Sequence, residues 1–288
     1  MHWSVVGHAD QKKVFEKLVS EGAFARAYLF SGPSGVGKKM FAFDIAGALL
    51  GSEKSPDLLV LQPGVSKETG KPTDISVKEA QDMKAWAYQR PLYGTAKVVV
   101  IDDADRLGAE AANALLKVLE EPPAYLYVFL VTSVRGAVLP TILSRCHEVV
   151  FGALGASDME RALVDVSLSP DDRQLLQAIA RGRPGSARAY LTDGRLSEVS
   201  RAIDQLKRLC AGGVAERLVL TKALADEDAL PEIVLWWLAW VHTALTTNPS
   251  LAPLARGLLE LASATSESKY NHRLALDRFA LELPAISW

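Results

Sequence analysis

The segment from Gly32 to Lys39 reads Gly-Pro-Ser-Gly-Val-Gly-Lys-Lys and has the composition of a phosphate-binding loop. Such a loop surrounds phosphate groups with backbone N–H groups and one lysine ammonium group, and the next residue is a Ser or Thr that binds Mg²⁺. This chain has Lys39 at that position. Because an ammonium group cannot coordinate a cation, a nucleotide can still be cradled, but hydrolysis loses its metal anchor. The candidate nucleotide-binding residues of the loop are Gly32, Gly35, Gly37, Lys38 and Lys39.

The residues on either side of this loop favour a nucleotide-binding fold over a chance glycine-rich turn. The apolar run Ala27 to Phe30 precedes the loop, and the segment from Met40 to Leu50 repeats apolar residues at helical spacing. A strand, a loop and a helix therefore follow one another in the order that phosphate binding requires.

A second motif ends the apolar run that begins at Val98, where two carboxylates, Asp102 and Asp103, follow Ile101. In ATPases with a phosphate-binding loop, the first acid supports Mg²⁺ and the second, usually Glu, polarises the attacking water. Asp103 is one methylene shorter than Glu, which argues against efficient hydrolysis. The alternative is that both acids are simply solvated at the end of a strand.

Short apolar runs alternate with helical patterns between Tyr28 and Phe151, which predicts an α/β fold with a parallel sheet. The predicted strands are Tyr28–Phe30, Leu58–Leu61, Val98–Ile101, Tyr127–Thr132 and Glu148–Phe151. The predicted helices between them are Lys38–Leu50, Val77–Gln89 and Ala109–Glu120, and Pro63 to Thr73 is predicted to be a loop. After Phe151 the pattern is wholly helical.

Composition is that of an ordinary globular chain of 288 residues, with 49% apolar and 23% charged residues. The net charge of −2 gives no overall positive field for nucleic acid. Two cysteines, Cys146 and Cys210, lie far apart, which favours a reducing cytoplasm and excludes an all-cysteine zinc site within the chain. No basic segment followed by an apolar one opens the chain, so no signal peptide is expected.

Two further segments resemble the clamp-loader branch of the AAA+ ATPases. One is Asn113 to Pro123, reading Asn-Ala-Leu-Leu-Lys-Val-Leu-Glu-Glu-Pro-Pro, and the other is Leu139 to Cys146, reading Leu-Pro-Thr-Ile-Leu-Ser-Arg-Cys. The Ser-Arg-Cys triplet is highly specific to that branch. The resemblance covers about residues 1–190 strongly. Within the branch, Lys39, the Asp-Asp pair and the opening Trp3 to His8 are similar to a subunit that does not hydrolyse ATP.

The resemblance implies an AAA+ core (1–153), a small helical lid (154–195) and an all-helical collar for oligomerisation (196–288). It implies a subunit of the DNA polymerase III holoenzyme that joins gamma/tau and delta subunits in a ring of five. That ring would load a sliding clamp on primed DNA in the cytoplasm, without contact to a membrane.

Arg145 is the candidate catalytic residue that the resemblance implies, acting in trans on the ATP of a neighbouring subunit. A phosphoryl-transfer transition state spreads negative charge over several oxygens, and an arginine stabilises that charge through charge-assisted hydrogen bonds. The alternative is a structural salt bridge.

Three departures from the family pattern shape the expectations for cofactors. Many members carry a four-cysteine zinc module after the loop helix, but Leu49 to Asp57 has no cysteine, so zinc is not expected. Hydrolysing relatives carry a lid arginine where this chain aligns Gly185, and Arg183 or Arg188 would have to substitute for it. Thr132-Ser133 are either γ-phosphate sensors or ordinary strand-end hydroxyls.

Three functions remain in competition on the sequence alone. The first is a clamp-loader subunit that does not hydrolyse ATP, with weak or absent nucleotide binding and a trans-acting Arg145. The second is an active, gamma/tau-like ATPase that uses Lys38 and Asp102, against which Lys39 and Asp103 argue. The third, an independent NTPase or kinase, leaves the Ser-Arg-Cys segment without a role.

Overall fold

The computed structural model describes residues 1–66, 68, 70, 72–266 and 271–283. The chain divides into two compact units. The first comprises Met1–Val164 and Gly182–Ser186, and the second comprises Asp165–Arg181 and Ala187–Trp288. The division into core, lid and collar stays a prediction. Within the predicted loop, residues 67, 69 and 71 lie outside the described residues, as do 267–270 and 284–288 of the predicted collar.

The first unit is built on a five-stranded sheet in the order β2-β3-β4-β1-β5, in which every neighbouring pair is parallel. The strands are β1 Ala27–Ser31, β2 Leu58–Leu61, β3 Lys97–Ile101, β4 Leu126–Thr132 and β5 His147–Val150. All five residues of β1 and of β3 are buried, as expected for inner strands with both faces covered. The predicted parallel sheet is confirmed, and no strand end differs from the prediction by more than one residue.

Among the described residues, six α-helices lie wholly in the first unit: α1 Ala9–Glu21, α2 Lys38–Leu50, α3 Val77–Ala87, α4 Ala109–Glu120, α5 Pro140–Leu143 and α6 Ala156–Ala162. The bounds of α2 and α4 agree with the prediction. Helix α3 begins at a capping box between Ser76 and Glu79 but ends two residues before the predicted Gln89. Pro91 accounts for the early end, because a proline disfavours helical backbone at the residue before it.

The sheet separates two apolar clusters. The cluster on the side of α3 and α4 is mainly aliphatic, with Leu115 and Val118 fully buried. On the side of α1 and α2 the cluster is aromatic, and Phe15 packs against both Phe30 and Phe41. Both faces of the sheet are therefore covered, and only its edges and strand ends remain for polar chemistry.

The second unit contains helices alone among its described residues, as the pattern after Phe151 predicts. These are α7 Pro170–Ala180, α8 Pro184–Thr192, α9 Leu196–Ala211, α10 Val214–Ala225, α11 Leu230–Ala244, α12 Ala252–Ser266 and α13 His272–Glu282, of which α8 begins in the first unit. Trp237 is fully buried, and its indole N–H donates to the carbonyl of Ala202 at 2.5 Å. None of the described helices is long and apolar enough to cross a membrane.

Candidate nucleotide site and arginine of the first unit

The loop between β1 and α2 has the backbone geometry of a phosphate-binding loop. Gly32, Gly35 and Gly37 have φ angles of 142°, 79° and 106°, in the region that favours glycine. A Cβ atom at Gly32 would lie only 2.1 Å from the backbone oxygen of Phe151. The glycines that the sequence singled out are therefore required by both backbone conformation and close packing.

The first residues of the chain contact this loop and the helix that follows it. A ring nitrogen of His8 lies 2.8 Å from the carbonyl oxygen of Val36, within the loop. The buried carboxylate of Asp44 on α2 accepts hydrogen bonds from the backbone N–H groups of Ser4 and Val5. Burial lowers the pKa of His8, which favours the neutral imidazole. The opening motif thus fixes the position of the loop.

The ammonium group of Lys38 is bonded to the loop itself. It donates to the carbonyl oxygens of Gly32 at 2.7 Å and Pro33 at 2.6 Å, and it lies 3.4 Å from the hydroxyl of Ser133. Only 4% of the residue is exposed, and this burial lowers the pKa of Lys38 against the opposing effect of Asp102. Lys38 therefore lies where a phosphate-binding lysine belongs.

Lys39 forms an ion pair with the acid that would support a metal. Its Nζ lies 2.9 Å from Oδ2 of Asp102 and 2.7 Å from Oε1 of Gln62, which follows β2. The ammonium group thus gives Asp102 a positively charged partner from within the chain. Oxygen ligands of this kind are what Mg²⁺ would need, so the two cations would compete for the same carboxylate.

Asp103 adopts a left-handed backbone conformation, with φ of 46°. Asp tolerates this region better than most residues, although it still carries strain. Its backbone N–H donates to Oδ1 of Asp102 at 3.1 Å. Burial raises the pKa of Asp103, and the neighbouring charge of Asp102 raises it further. Its carboxyl group therefore loses its proton at a higher pH than that of a solvated aspartate.

The first residues of α8 lie directly on the phosphate-binding loop. The backbone N–H of Gly185 donates to the carbonyl oxygen of Gly35 at 2.8 Å. A Cβ atom at Gly185 would be 3.1 Å from both Cα and O of Gly35, and one at Gly35 would be 2.7 Å from Oγ of Ser186. A side chain at either glycine would push the two segments apart.

Of the two arginines considered as substitutes for a lid arginine, only Arg183 lies beside the loop. Its Cβ is 3.5 Å from the position that a Cβ of Gly35 would take. Arg188 belongs to the second unit, where it pairs with Asp165 at 2.8 Å. That a nucleotide contacts Arg183 stays a prediction.

Thr132 and Ser133, at the carboxyl end of β4, are held by an acid that the motif search did not identify. Oδ1 of Asp105 accepts from the hydroxyl of Thr132 at 2.5 Å and from the backbone N–H of Ser133 at 3.3 Å. The hydroxyl of Thr132 is thus bonded to a residue that follows β3, and Ser133 is the one near Lys38. The sensing role stays a prediction.

Arg145 lies near the amino ends of the strands, whereas the phosphate-binding loop lies at their carboxyl ends. The loop follows the carboxyl end of β1, whereas Arg145 precedes β5, whose first residue His147 pairs with Tyr28 near the start of β1. A five-residue strand separates its amino end from its carboxyl end by about 16 Å. Arg145 therefore cannot serve the nucleotide site of its own chain.

Three residues that no sequence motif singled out contact the predicted site residues: Gln62, Asp105 and Glu120. Gln62 and Asp105 contact Lys39 and Thr132, and Glu120 pairs with Arg145 at 2.7 Å. Their signal is positional: Gln62 follows a predicted strand, Asp105 follows the Asp-Asp pair, and Glu120 lies in the segment that carries the family resemblance. In the described residues, no group of three or more His, Cys, Asp or Glu could hold a metal ion.

Both cysteines are expected to be unreactive in the folded protein. Burial raises the pKa of Cys146 to about 12 and that of Cys210 to about 11, so almost no thiolate exists at pH 8. We expect a disulfide reagent such as DTNB to titrate two thiols rapidly in denaturant and neither one rapidly in the native protein. Rapid reaction of a native thiol would contradict this prediction.

The parallel sheet, the phosphate-binding loop after its inner strand β1 and the acids after β3 define the first unit as an AAA+ type of nucleotide-binding core. The family model described as DNA polymerase III, delta subunit, matches residues 7–155, just over half of the chain. The chain therefore belongs to this family, and it is a homologue of the delta-prime subunit of DNA polymerase III, within the clamp-loader family.

Several known proteins are similar to this chain. The delta-prime subunit of Pseudomonas aeruginosa is 30% identical over 80% of this chain and 74% of its own length. The gamma/tau subunit of Mycobacterium bovis is 29% identical over 76% of this chain, which corresponds to only 39% of that longer protein. The crystal structure of a gamma subunit-related protein from Thermotoga maritima covers 93% of this chain and 97% of its own, with 16% identity and a TM-score of 0.47.

Proposed function

We propose that the protein is a clamp-loader subunit that does not hydrolyse ATP and that presents Arg145 to a neighbouring subunit's nucleotide. Its own nucleotide site is degenerate and binds ATP weakly or not at all. It assembles with gamma/tau and delta subunits in a hetero-pentameric ring that loads a sliding clamp on primed DNA. Because its relatives are DNA replication proteins, we assign the protein to the cytoplasm.

The observation that carries the proposal is the 2.9 Å ion pair between Lys39 and Asp102. Hydrolysis by this class of site depends on a metal ion that bridges phosphate oxygens and neutralises developing charge. Here the hydroxyl ligand of the metal is replaced by a cation, and the supporting acid is bonded to that cation. A lysine ammonium group cannot bridge phosphates as Mg²⁺ does, so charge neutralisation is incomplete.

The lid turn supports the same conclusion independently. By the family resemblance, Gly185 is the residue that aligns with the lid arginine of hydrolysing relatives, and its backbone N–H donates to the carbonyl oxygen of Gly35 at 2.8 Å. A side chain there would begin with a tight contact, because its Cβ would lie 3.1 Å from Gly35, so the loop would have to shift by a few tenths of an ångström. The chain therefore has a glycine where catalysis would need a charge.

The trans role of Arg145 is supported by its position and its exposure. Its side chain is 34% exposed and lies near the amino ends of the strands, away from the phosphate-binding loop at their carboxyl ends. A subunit whose own site is degenerate can still contribute to hydrolysis if this arginine reaches a neighbour's γ-phosphate. An arginine supplied in trans raises the rate of phosphoryl transfer by about 10³–10⁵.

The second unit supports assembly, because large apolar side chains are exposed on four of its helices. Val214, Val219, Leu235, Leu259, Leu274 and Leu281 are each more than half exposed. Exposed leucine and valine residues on packed helices are suited to burial against another subunit. We therefore assign the contact with other loader subunits mainly to α10, α11, α12 and α13.

The isolated protein is expected to hydrolyse ATP negligibly, with or without primed DNA and Mg²⁺. Lys39 removes the metal ligand, and Asp103, one methylene shorter than Glu, positions water poorly. Steady-state phosphate release should equal the buffer background, and Lys38→Ala should leave that background unchanged. Weak nucleotide binding by calorimetry is compatible with this result.

Robust turnover that disappears in Lys38→Ala would instead establish the active, gamma/tau-like ATPase. That alternative keeps its interest because gamma/tau relatives are 29% identical to this chain. A purified gamma/tau subunit assayed in parallel gives the positive control, and its matching lysine variant shows that the assay detects loss of the loop lysine.

A further inference from the structure

Glu120 is the last residue of α4 and bonds the guanidinium group of Arg145. Oε1 of Glu120 accepts from Nη2 of Arg145 at 2.7 Å. On the other side of the guanidinium, Nη1 donates to the carbonyl oxygen of Thr141 at 2.9 Å and lies 3.3 Å from Oγ of Ser144. Three acceptors from two helix ends therefore fix the plane of this group.

These contacts leave part of the guanidinium available. The group carries five N–H bonds, and three of them point to Thr141, Ser144 and Glu120. Among the described residues no further acceptor is bonded, so the Nε–H and one Nη2–H remain for an acceptor outside the chain. Each of these two donors can bond an oxygen of a phosphate group.

The contact contributes little to the stability of the fold. The side chains of Arg145 and Glu120 are 34% and 49% exposed, and ion pairs at such exposure typically stabilise a protein very little. A carboxylate at the carboxyl end of a helix is also unfavourable for the helix dipole. The position of Glu120 is therefore poorly explained by helix stability and well explained by its contact with Arg145.

We propose that Glu120 is a positioning residue for Arg145, which holds the guanidinium with two N–H groups directed outward before a neighbour's nucleotide arrives. A free arginine side chain samples many rotamers and would have to be immobilised in the transition state. Anchoring by Glu120 removes that requirement in advance. This inference rests on the trans-acting role of Arg145 proposed above.

The test compares Glu120→Ala, Glu120→Gln and Arg145→Ala in the complete loader, reconstituted with its partner subunits on primed DNA and clamp. Glu121→Ala is the matched control, because it removes an adjacent carboxylate that is not among the partners of Arg145. The Arg145-dependent rate is defined as the difference in kcat between the wild type and Arg145→Ala.

We expect Glu120→Ala to lose at least about half of the Arg145-dependent rate, with the KM for ATP nearly unchanged. Glu120→Gln should retain most of it, because the amide oxygen accepts the same hydrogen bond. Glu121→Ala should match the wild type. The double variant should equal Arg145→Ala, since Glu120 acts only through Arg145.

A second measurement uses the isolated chain and needs no partner. Phenylglyoxal, which modifies accessible guanidinium groups, should react several-fold faster with Arg145 in Glu120→Ala than in the wild type or Glu121→Ala, as followed by mass spectrometry. An unchanged rate of modification at Arg145 would overturn the anchoring.

The outcomes separate this inference from the function on which it rests. Wild-type kcat in Glu120→Ala, together with a loss in Arg145→Ala, would overturn the role of Glu120 and leave that of Arg145 intact. A further loss in the double variant, a rate above wild type in Glu120→Ala, or equal losses in the Gln and Ala variants would also overturn it. Wild-type kcat in Arg145→Ala would instead contradict the trans-acting role itself.

Discussion

A clamp loader assembled with Arg145→Ala is expected to form normally but to hydrolyse ATP and load clamps more slowly than the wild-type complex. At the affected interface the transition-state charge would lose its arginine, which corresponds to about 10³-fold or more in the rate of that site. The overall loss should be partial, because the remaining ATP sites of the ring keep their own arginines. Single-turnover and steady-state ATPase assays, with a clamp-loading assay, measure this effect.

Arg145→Lys should rescue this loss poorly. An ammonium group keeps the charge but lacks the planar fork that donates to two phosphate oxygens at once. It also cannot reproduce the three contacts to Thr141, Ser144 and Glu120 in one plane. The thermal unfolding of the isolated Arg145→Ala and Arg145→Lys chains should match the wild type, which separates a catalytic loss from misfolding. Wild-type ATPase and loading rates in the Arg145→Ala complex would show that Arg145 has only a structural role.

Aspartate at exposed apolar positions of the second unit is expected to abolish or strongly weaken assembly. Val219 on α10 and Leu274 on α13 are 70% and 68% exposed, and these two helices pack against each other. Burying a carboxylate at a subunit contact leaves it without water or a partner, which typically costs about 2 kcal/mol or more in binding. Size-exclusion chromatography of Val219→Asp/Leu274→Asp with purified gamma/tau and delta subunits measures the loss.

Ser197→Asp provides the matched control for this experiment. It also adds a negative charge at an exposed position of the second unit, but in the first turn of α9, where an acid is favourable. The control should assemble like the wild type, and both variants should keep the native circular dichroism spectrum. Normal incorporation of the double aspartate variant would place the subunit contacts elsewhere on the chain.

Much of the nucleotide site is predictable from the sequence, because its residues are consecutive. Glycines at fixed offsets and a following lysine specify a loop whatever the rest of the fold does, and the structure gives all three glycines positive φ angles. The substitution at Lys39 and the shorter Asp103 are likewise visible as residue types. Their contacts are not: neither the ion pair to Asp102 nor the bond to Gln62 follows from spacing, since these residues come from three different segments.

The sequence by itself determined the α/β core with its parallel sheet, the helical character of the described second unit and the phosphate-binding loop. Each of these depends on periodicity or on a short run of residues, which local physics fixes. The family resemblance singled out Arg145, whose trans-acting role stays a prediction. Only the tertiary structure decided that Gly185 donates a hydrogen bond to Gly35 and that Lys38 bonds the loop's own carbonyls. It also decided that Glu120 pairs with Arg145 near the amino ends of the strands. The contacts of Gly185 and Glu120 join residues 150 and 25 positions apart, and those of Lys38 join residues five and six positions apart. Their geometry exists only once the sheet and its helices have packed.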